Sequence, residues 1–185
     1  MAPPPAPRCS LPARLVLAAH EDPRLRSRMF RTELGFGAAG AALLELALEG
    51  RISVSHDEIV VRGARRCPDP VVDLVLERLL FADRGRGPRG WVERLGPDVL
   101  DGTRDQLLDQ GLLVPVRRRI LGLFPVHGYA LADTGPRRPA DPAVTWLLDA
   151  LRRPTGAPRP ECTDPVVLAV RAATAAAALP LACSG

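Results

Sequence analysis

The sequence has no lysine. All 25 of its basic residues are arginine, set against 21 acidic ones, which leaves a net charge of +4 and an isoelectric point near 9.4. Arginine offers carboxylate and phosphate a planar fork of donors, so a basic all-arginine surface suits anionic partners. A composition rich in Arg, Ala, Pro and Gly is also what a GC-biased genome writes everywhere, and that is the first explanation of the missing lysine. Histidine is scarce too: His20, His56 and His127 lie far apart and none stands beside a nucleophile signature such as GxSxG. This gives no footing to nucleophile-and-base catalysis, and the expectation is a protein that is not an enzyme. The four cysteines, Cys9, Cys67, Cys162 and Cys183, form no CxxC pair and have no histidine at zinc spacing, so no metal site, redox motif or cofactor is expected. Long apolar runs are missing as well. The best candidate, from Pro165 to Pro180, is interrupted by Arg171, and the start lacks the basic, apolar, small-residue order of a secretory signal. A cytoplasmic protein is expected, peripheral on the inner face of a membrane if it meets one.

What is present is the balance of a folded domain: 46% hydrophobic and 25% charged residues in 185, with 20 prolines and 16 glycines that punctuate structure. Asp-Pro recurs at Asp22-Pro23, Asp69-Pro70, Asp141-Pro142 and Asp164-Pro165, an acidic cap followed by proline at the first helical position, and the last three open apolar runs. Leu11-Pro12 introduces a short helix over Ala13 to Ala19. A second helix is expected from about Phe36 to Glu49, a third after Asp69, another after Trp91-Val92, and one through Trp146 and Leu151. Helix, glycine and hairpin occur twice. Gly50 precedes strands Ile52 to Val54 and Ile59 to Val61 around a turn at Ser55 to Glu58, and Gly111 precedes Val116 to Leu123 and Val126 to Leu131. The fold class this predicts is mainly α, a central helical bundle with surrounding amphipathic helices and two short β-hairpins. Residues 1–10 form a flexible proline-rich arm in this reading, and 11–185 a single mainly helical domain with internal linkers at 133–140 and 152–163.

Gly35-Phe36-Gly37-Ala38-Ala39-Gly40 spells GxGxxG, yet the arginine-rich stretch before it is no buried strand, so close helix packing is the better reading. Asp105 and Asp109, one helical turn apart beside Arg104, fit a solvated face better than an acid and base. The second hairpin is more informative. Arg117, Arg118 and Arg119 adjoin Ile120, Leu121, Leu123 and Phe124, and basic residues beside exposed apolar ones are how a peripheral protein grips an anionic bilayer. A strand whose apolar face packs on its own helices, with arginines along a solvated edge, fits the same letters and is the commoner arrangement.

Leu11-Pro12, the stretch Gly40 to Arg51 (GAALLELALEGR), Asp69-Pro70, Trp91-Val92, Leu107-Leu108-Asp109-Gln110-Gly111-Leu112-Leu113, Leu121-Gly122-Leu123-Phe124-Pro125 and Tyr129-Ala130-Leu131 together resemble the Golgi phosphoprotein family, to which phosphatidylinositol-4-phosphate effectors of the Golgi belong. The composition points to a bacterial member. The resemblance implies a helical bundle, a phosphoinositide headgroup pocket, and a hairpin for membrane and oligomer contacts. In eukaryotic members a tryptophan and three arginines hold the headgroup. Counted back from the shared segments, those positions fall on Phe30, Ala39 and near Pro97 and Leu100. Arg28 and Arg31 stand on either side of Phe30, and Arg104 lies one turn beyond Leu100, so a different arginine set is expected to line the pocket. The resemblance therefore implies a peripheral membrane or adaptor protein: anionic lipid headgroups bind at Arg28, Phe30, Arg31 and Arg104, and the hairpin residues Arg117, Arg118, Arg119, Leu121, Leu123 and Phe124 contact a membrane or a second copy. The alternative is a winged-helix-like nucleic-acid-binding protein with the three adjacent arginines as its wing, against which stand helices with few residues placed to read bases.

Overall fold

The computed structural model describes residues 9–21, 31–81, 86–120, 124–132 and 142–152, together with Val170 and Thr174; at 117–120, 124–127 and 149–152 the description covers the backbone alone. Helix α1 spans Leu11–Glu21 and α2 Arg31–Leu48. A first hairpin follows, β1 (Ile52–Ser55) and β2 (Glu58–Val61), then α3 (Pro70–Phe81) and α4 (Pro88–Asp109). The second hairpin is β3 (Leu113–Ile120) with β4 (Phe124–Leu131), and α5 covers Pro142–Arg152. Both pairs are antiparallel. The chain is thus mainly helical with two short hairpins, as its patterning predicts. The expected linkers at 133–140 and 152–163 lie, apart from Arg152, outside the described residues, and Ser10, at the border of the proline-rich arm, is buried.

Local chemistry explains the boundaries. Asp69 caps α3 with one carboxylate oxygen, Oδ1, which accepts from the amides of Val71 at 2.9 Å and Val72 at 3.2 Å. Gly50 and Gly111 end their helices with φ of 68° and 65°, left-handed values that glycine adopts without strain. The β1–β2 turn is His56-Asp57, with φ of 52° and 61°, the double left-handed geometry of a tight hairpin.

Helix α2 is the centre, packed by α1, α3, α4 and α5. Ala38, Ala39, Ala41, Ala42, Leu43, Leu44 and Leu46 are all buried along it. Its small residues set how near the neighbours come. A Cβ on Gly35 would stand 2.9 Å from the carbonyl oxygen of Gly96 on α4, and one on Gly96 would stand 3.2 Å from the backbone of Gly35, so the two helices cross backbone to backbone. Gly40 instead faces the side chain of Thr174, which an added Cβ would overlap. The GxGxxG letters are therefore a helix-packing stripe.

Glu45, on the same helix, reaches across to α1, where its Oε2 accepts the backbone N–H of Leu11 at 2.6 Å and serves a donor that no helical carbonyl can reach. Burial pushes its carboxyl above the ordinary carboxylate range, with the Leu11 hydrogen bond pulling the other way and Asp69 and Glu49 adding to the rise. A folded-state pKa raised in this way means that the ionised form costs stability, so stability falls as pH rises from the ordinary carboxylate range through the raised one. Glu45→Gln keeps an acceptor for Leu11 without the charge. Thermal unfolding is expected to show a variant at least as stable as the wild type at neutral pH, with a flatter pH dependence; identical slopes in the two proteins would contradict the account.

Candidate functional site

Three elements meet at the candidate site. The first turn of α2 supplies Arg31, and α4 supplies Asp101 and Arg104, which at a spacing of three share one helix face. The third is β4. A glycine turn after α4 sends the chain back through β3, and the antiparallel register pairs Tyr129 with Pro115. The base of this hairpin is anchored by buried Leu113 and by the amide of Ala132, which donates to the Leu112 carbonyl at 3.1 Å. Tyr129 is thereby brought against Arg104, with the guanidinium 5.1 Å from the ring centroid.

The arginines are held differently. Nη2 of Arg31 donates to both carboxylate oxygens of Asp101, at 2.6 and 2.5 Å, across 70 residues of sequence. The two side chains are 66% and 48% exposed, so this pair contributes little to stability, on the order of 0 to 1 kcal/mol. Its consequence is positional: Arg31 is kept over α4. Arg104 is half-buried, and its Nε is enclosed with no hydrogen-bond partner among the described residues. Burial lowers its affinity for the proton, the positive charge of Arg31 lowers it further, and Tyr129 and Asp101 oppose the change. An arginine still keeps its charge under such pressure. The result is two guanidiniums near enough to repel each other, one of them with an enclosed donor unmet. An anion bound between the two groups would offset their repulsion and accept from their forks.

The structure thus brings together Arg31 and Arg104, two of the four headgroup residues expected from the sequence. Arg28 and Phe30 lie outside the described residues, as do Leu121 and Leu123 of the hairpin. Arg117, Arg118, Arg119 and Phe124 lie in the β3–β4 ladder, paired in register with His127, Val126, Pro125 and Ile120. Alternation along the ladder puts positions 117 and 119 on the same face as Tyr129. At the positions counted back from the eukaryotic arginines, Ala39 and Leu100 are fully buried core residues and Pro97 is exposed inside α4. Asp101 and Tyr129 were not foreseen as site residues. The one local sign of Asp101 is its spacing of three from Arg104, and Tyr129 stands out only as the single tyrosine of the chain and as part of the Tyr129-Ala130-Leu131 segment.

The family model for Golgi phosphoprotein 3 (GPP34) matches residues 11–183. The chain belongs to this family. No curated protein sequence matches it significantly. The match covers every element described above, so α2, α4 and the second hairpin, which build the site, are all parts of the GPP34 domain. Among the described residues no helix is long and apolar enough to cross a membrane, and no group of three or more His, Cys, Asp or Glu could hold a metal ion. A separate open groove of about 330 Å³, lined by Leu74, Glu77, Arg78, Phe81, Trp91 and Arg94, mixes both signs of charge and is less suited to an anion than the Arg31–Arg104 pair.

Proposed function

We propose that this GPP34 protein is a non-enzymatic peripheral membrane adaptor of the cytoplasm, binding anionic, phosphoinositide-like lipid headgroups between Arg31 and Arg104. The observation that carries the reading is Arg104: a half-buried guanidinium with an unmet Nε, set beside a second arginine and against an aromatic ring. Neighbouring guanidiniums repel each other, an anion between them offsets that repulsion, and their planar forks match a phosphate. The second hairpin is the other contact in this proposal, reaching the membrane or a second copy, since its basic positions run on from the face of Tyr129. Each arginine near an anionic surface contributes about 1 kcal/mol, enough for reversible attachment.

Co-sedimentation with vesicles tests this. The protein is expected to pellet with vesicles carrying anionic lipid and to stay in solution with neutral ones, with binding weakened by salt. Phe124→Asp is expected to reduce pelleting further. Equal pelleting on neutral vesicles would remove the headgroup reading, and an unaffected Phe124→Asp would remove the hairpin from it.

A further inference from the structure

The groove between α3 and α4 lies apart from the headgroup site and has a chemistry of its own. The two helices run antiparallel: Gln106 Nε2 donates to Asp69 Oδ2 at 2.9 Å at one end, and Phe81 and Trp91 line the groove at the other. Phe81 is 89% exposed. It is an uncovered aromatic knob beside a hollow of about 330 Å³ that Leu74 and Trp91 help to form. Three charged residues line the same groove. Arg78 reaches Asp98 at 3.5 Å, whereas Glu77 on α3 and Arg94 on α4, both exposed, make no ion pair among the described residues. Nearby, Arg89 is paired with Glu93, and Arg86 does not line the groove. The rim thus offers one unpaired charge of each sign, one on each helix.

We propose that this face joins two copies of the chain about a two-fold axis that runs along the groove. A contact of this kind must be self-complementary, with residue i meeting j and j meeting i. Rotation about that axis lays α3 of one copy over α4 of the other, so that each Glu77 meets the other copy's Arg94 and each Phe81 enters the hollow beside the other copy's Trp91. One register satisfies both pairings. Phe81 lies four residues beyond Glu77 and Trp91 three before Arg94, one turn in either helix, and the helices are antiparallel. An anionic membrane would complement Arg94 but set Glu77 against like charge; a second copy complements both. The contact has an apolar centre and a charged rim, and its small size makes a weak, concentration-dependent dimer. It stands independently of lipid binding at Arg31 and Arg104.

Sedimentation equilibrium of the full chain in lipid-free, low-salt buffer tests this. The wild type is expected to pass from monomer to dimer as protein rises to submillimolar concentration. Phe81→Ser should weaken the dimer by about tenfold or more, the effect of removing the central aromatic of an interface. Glu77→Arg and Arg94→Glu should each weaken it by about tenfold, because the symmetry makes each reversal turn two attractive pairs into repulsive ones. Mixing these two variants should restore the dimer, since each then carries the charge that the other needs, and the double variant should dimerise as well. All three positions are exposed, so the variants should melt with the wild type. A wild type that stays monomeric throughout, a dimer insensitive to Phe81→Ser, or charge variants that fail to pair on mixing overturns the proposal. A dimer lost in Phe124→Asp and kept in Phe81→Ser overturns it too, placing the contact in the second hairpin. A monomeric wild type whose vesicle binding falls in Phe81→Ser overturns it in favour of a membrane contact at this face.

Discussion

Arg104→Ala is expected to lower affinity for anionic vesicles by tenfold or more while leaving the thermal midpoint nearly unchanged. The two effects have different origins. A hydrogen bond to a charged group is worth about 1.5 to 3 kcal/mol, and each ~1.4 kcal/mol is tenfold in binding. On the stability side the substitution loses the contact with Tyr129, about 0.5 to 1 kcal/mol, and at the same time removes a half-buried cation whose Nε has no partner among the described residues and which Arg31 repels. These nearly cancel. Arg104→Lys should fall between, because it keeps the charge and loses the planar fork. Vesicle titration paired with thermal unfolding checks the prediction. Unchanged binding by a folded Arg104→Ala protein would take this residue out of the site.

The largest loss of stability is expected at the crossing of α2 and α4. Gly35→Val puts a branched side chain where even a Cβ would lie 2.9 Å from the Gly96 carbonyl oxygen, and a helix backbone cannot turn aside as a flexible side chain can. Overpacking of this kind costs about 1 to 3 kcal/mol and occasionally more, a large part of the roughly 5 to 15 kcal/mol that holds a domain folded. Because Arg31 stands one turn before Gly35, any separation of the helices also carries it away from Asp101, so anionic binding should fall together with stability. Gly90 supplies the contrast. It lies in the first turn of α4 with nothing within 4 Å of an added Cβ, and Gly90→Ala should stabilise by up to about 1 kcal/mol through helix propensity alone. Urea unfolding of the two variants distinguishes the crossing from a general cost of replacing glycine, and equal effects at both positions would contradict it.

This contrast also shows what was legible before the fold was seen. The Asp69 cap, the glycines at 50 and 111 and the tight turn at His56-Asp57 depend on a few adjacent residues, and they stand where the sequence places them. The start of α2 does not. The apolar pattern predicts a helix from about Phe36, whereas α2 begins at Arg31, because Arg31-Thr32-Glu33-Leu34-Gly35 has little apolar periodicity and its glycine reads as a breaker. Here glycine serves tertiary packing, which outweighs its poor helix propensity. Likewise α4 runs unbroken through Pro97, and β3 begins at Leu113, three residues before the expected Val116, because Leu113 is buried in the core. In the site, Arg31 and Arg104 were reachable by counting from the LELAL and DQGLL segments. Asp101 was not, since its meaning lies in a contact with a residue 70 positions away, and Tyr129 gains its role only when the hairpin folds back along α4.

An NMR titration with a soluble short-chain anionic lipid tests the central claim most directly, by following the backbone amides of the folded chain. Saturable shifts concentrated at Arg31, Asp101, Arg104 and Tyr129, and lost in Arg104→Ala, are the predicted result. Absence of shifts, or saturable shifts centred elsewhere with these four residues unmoved, would contradict it.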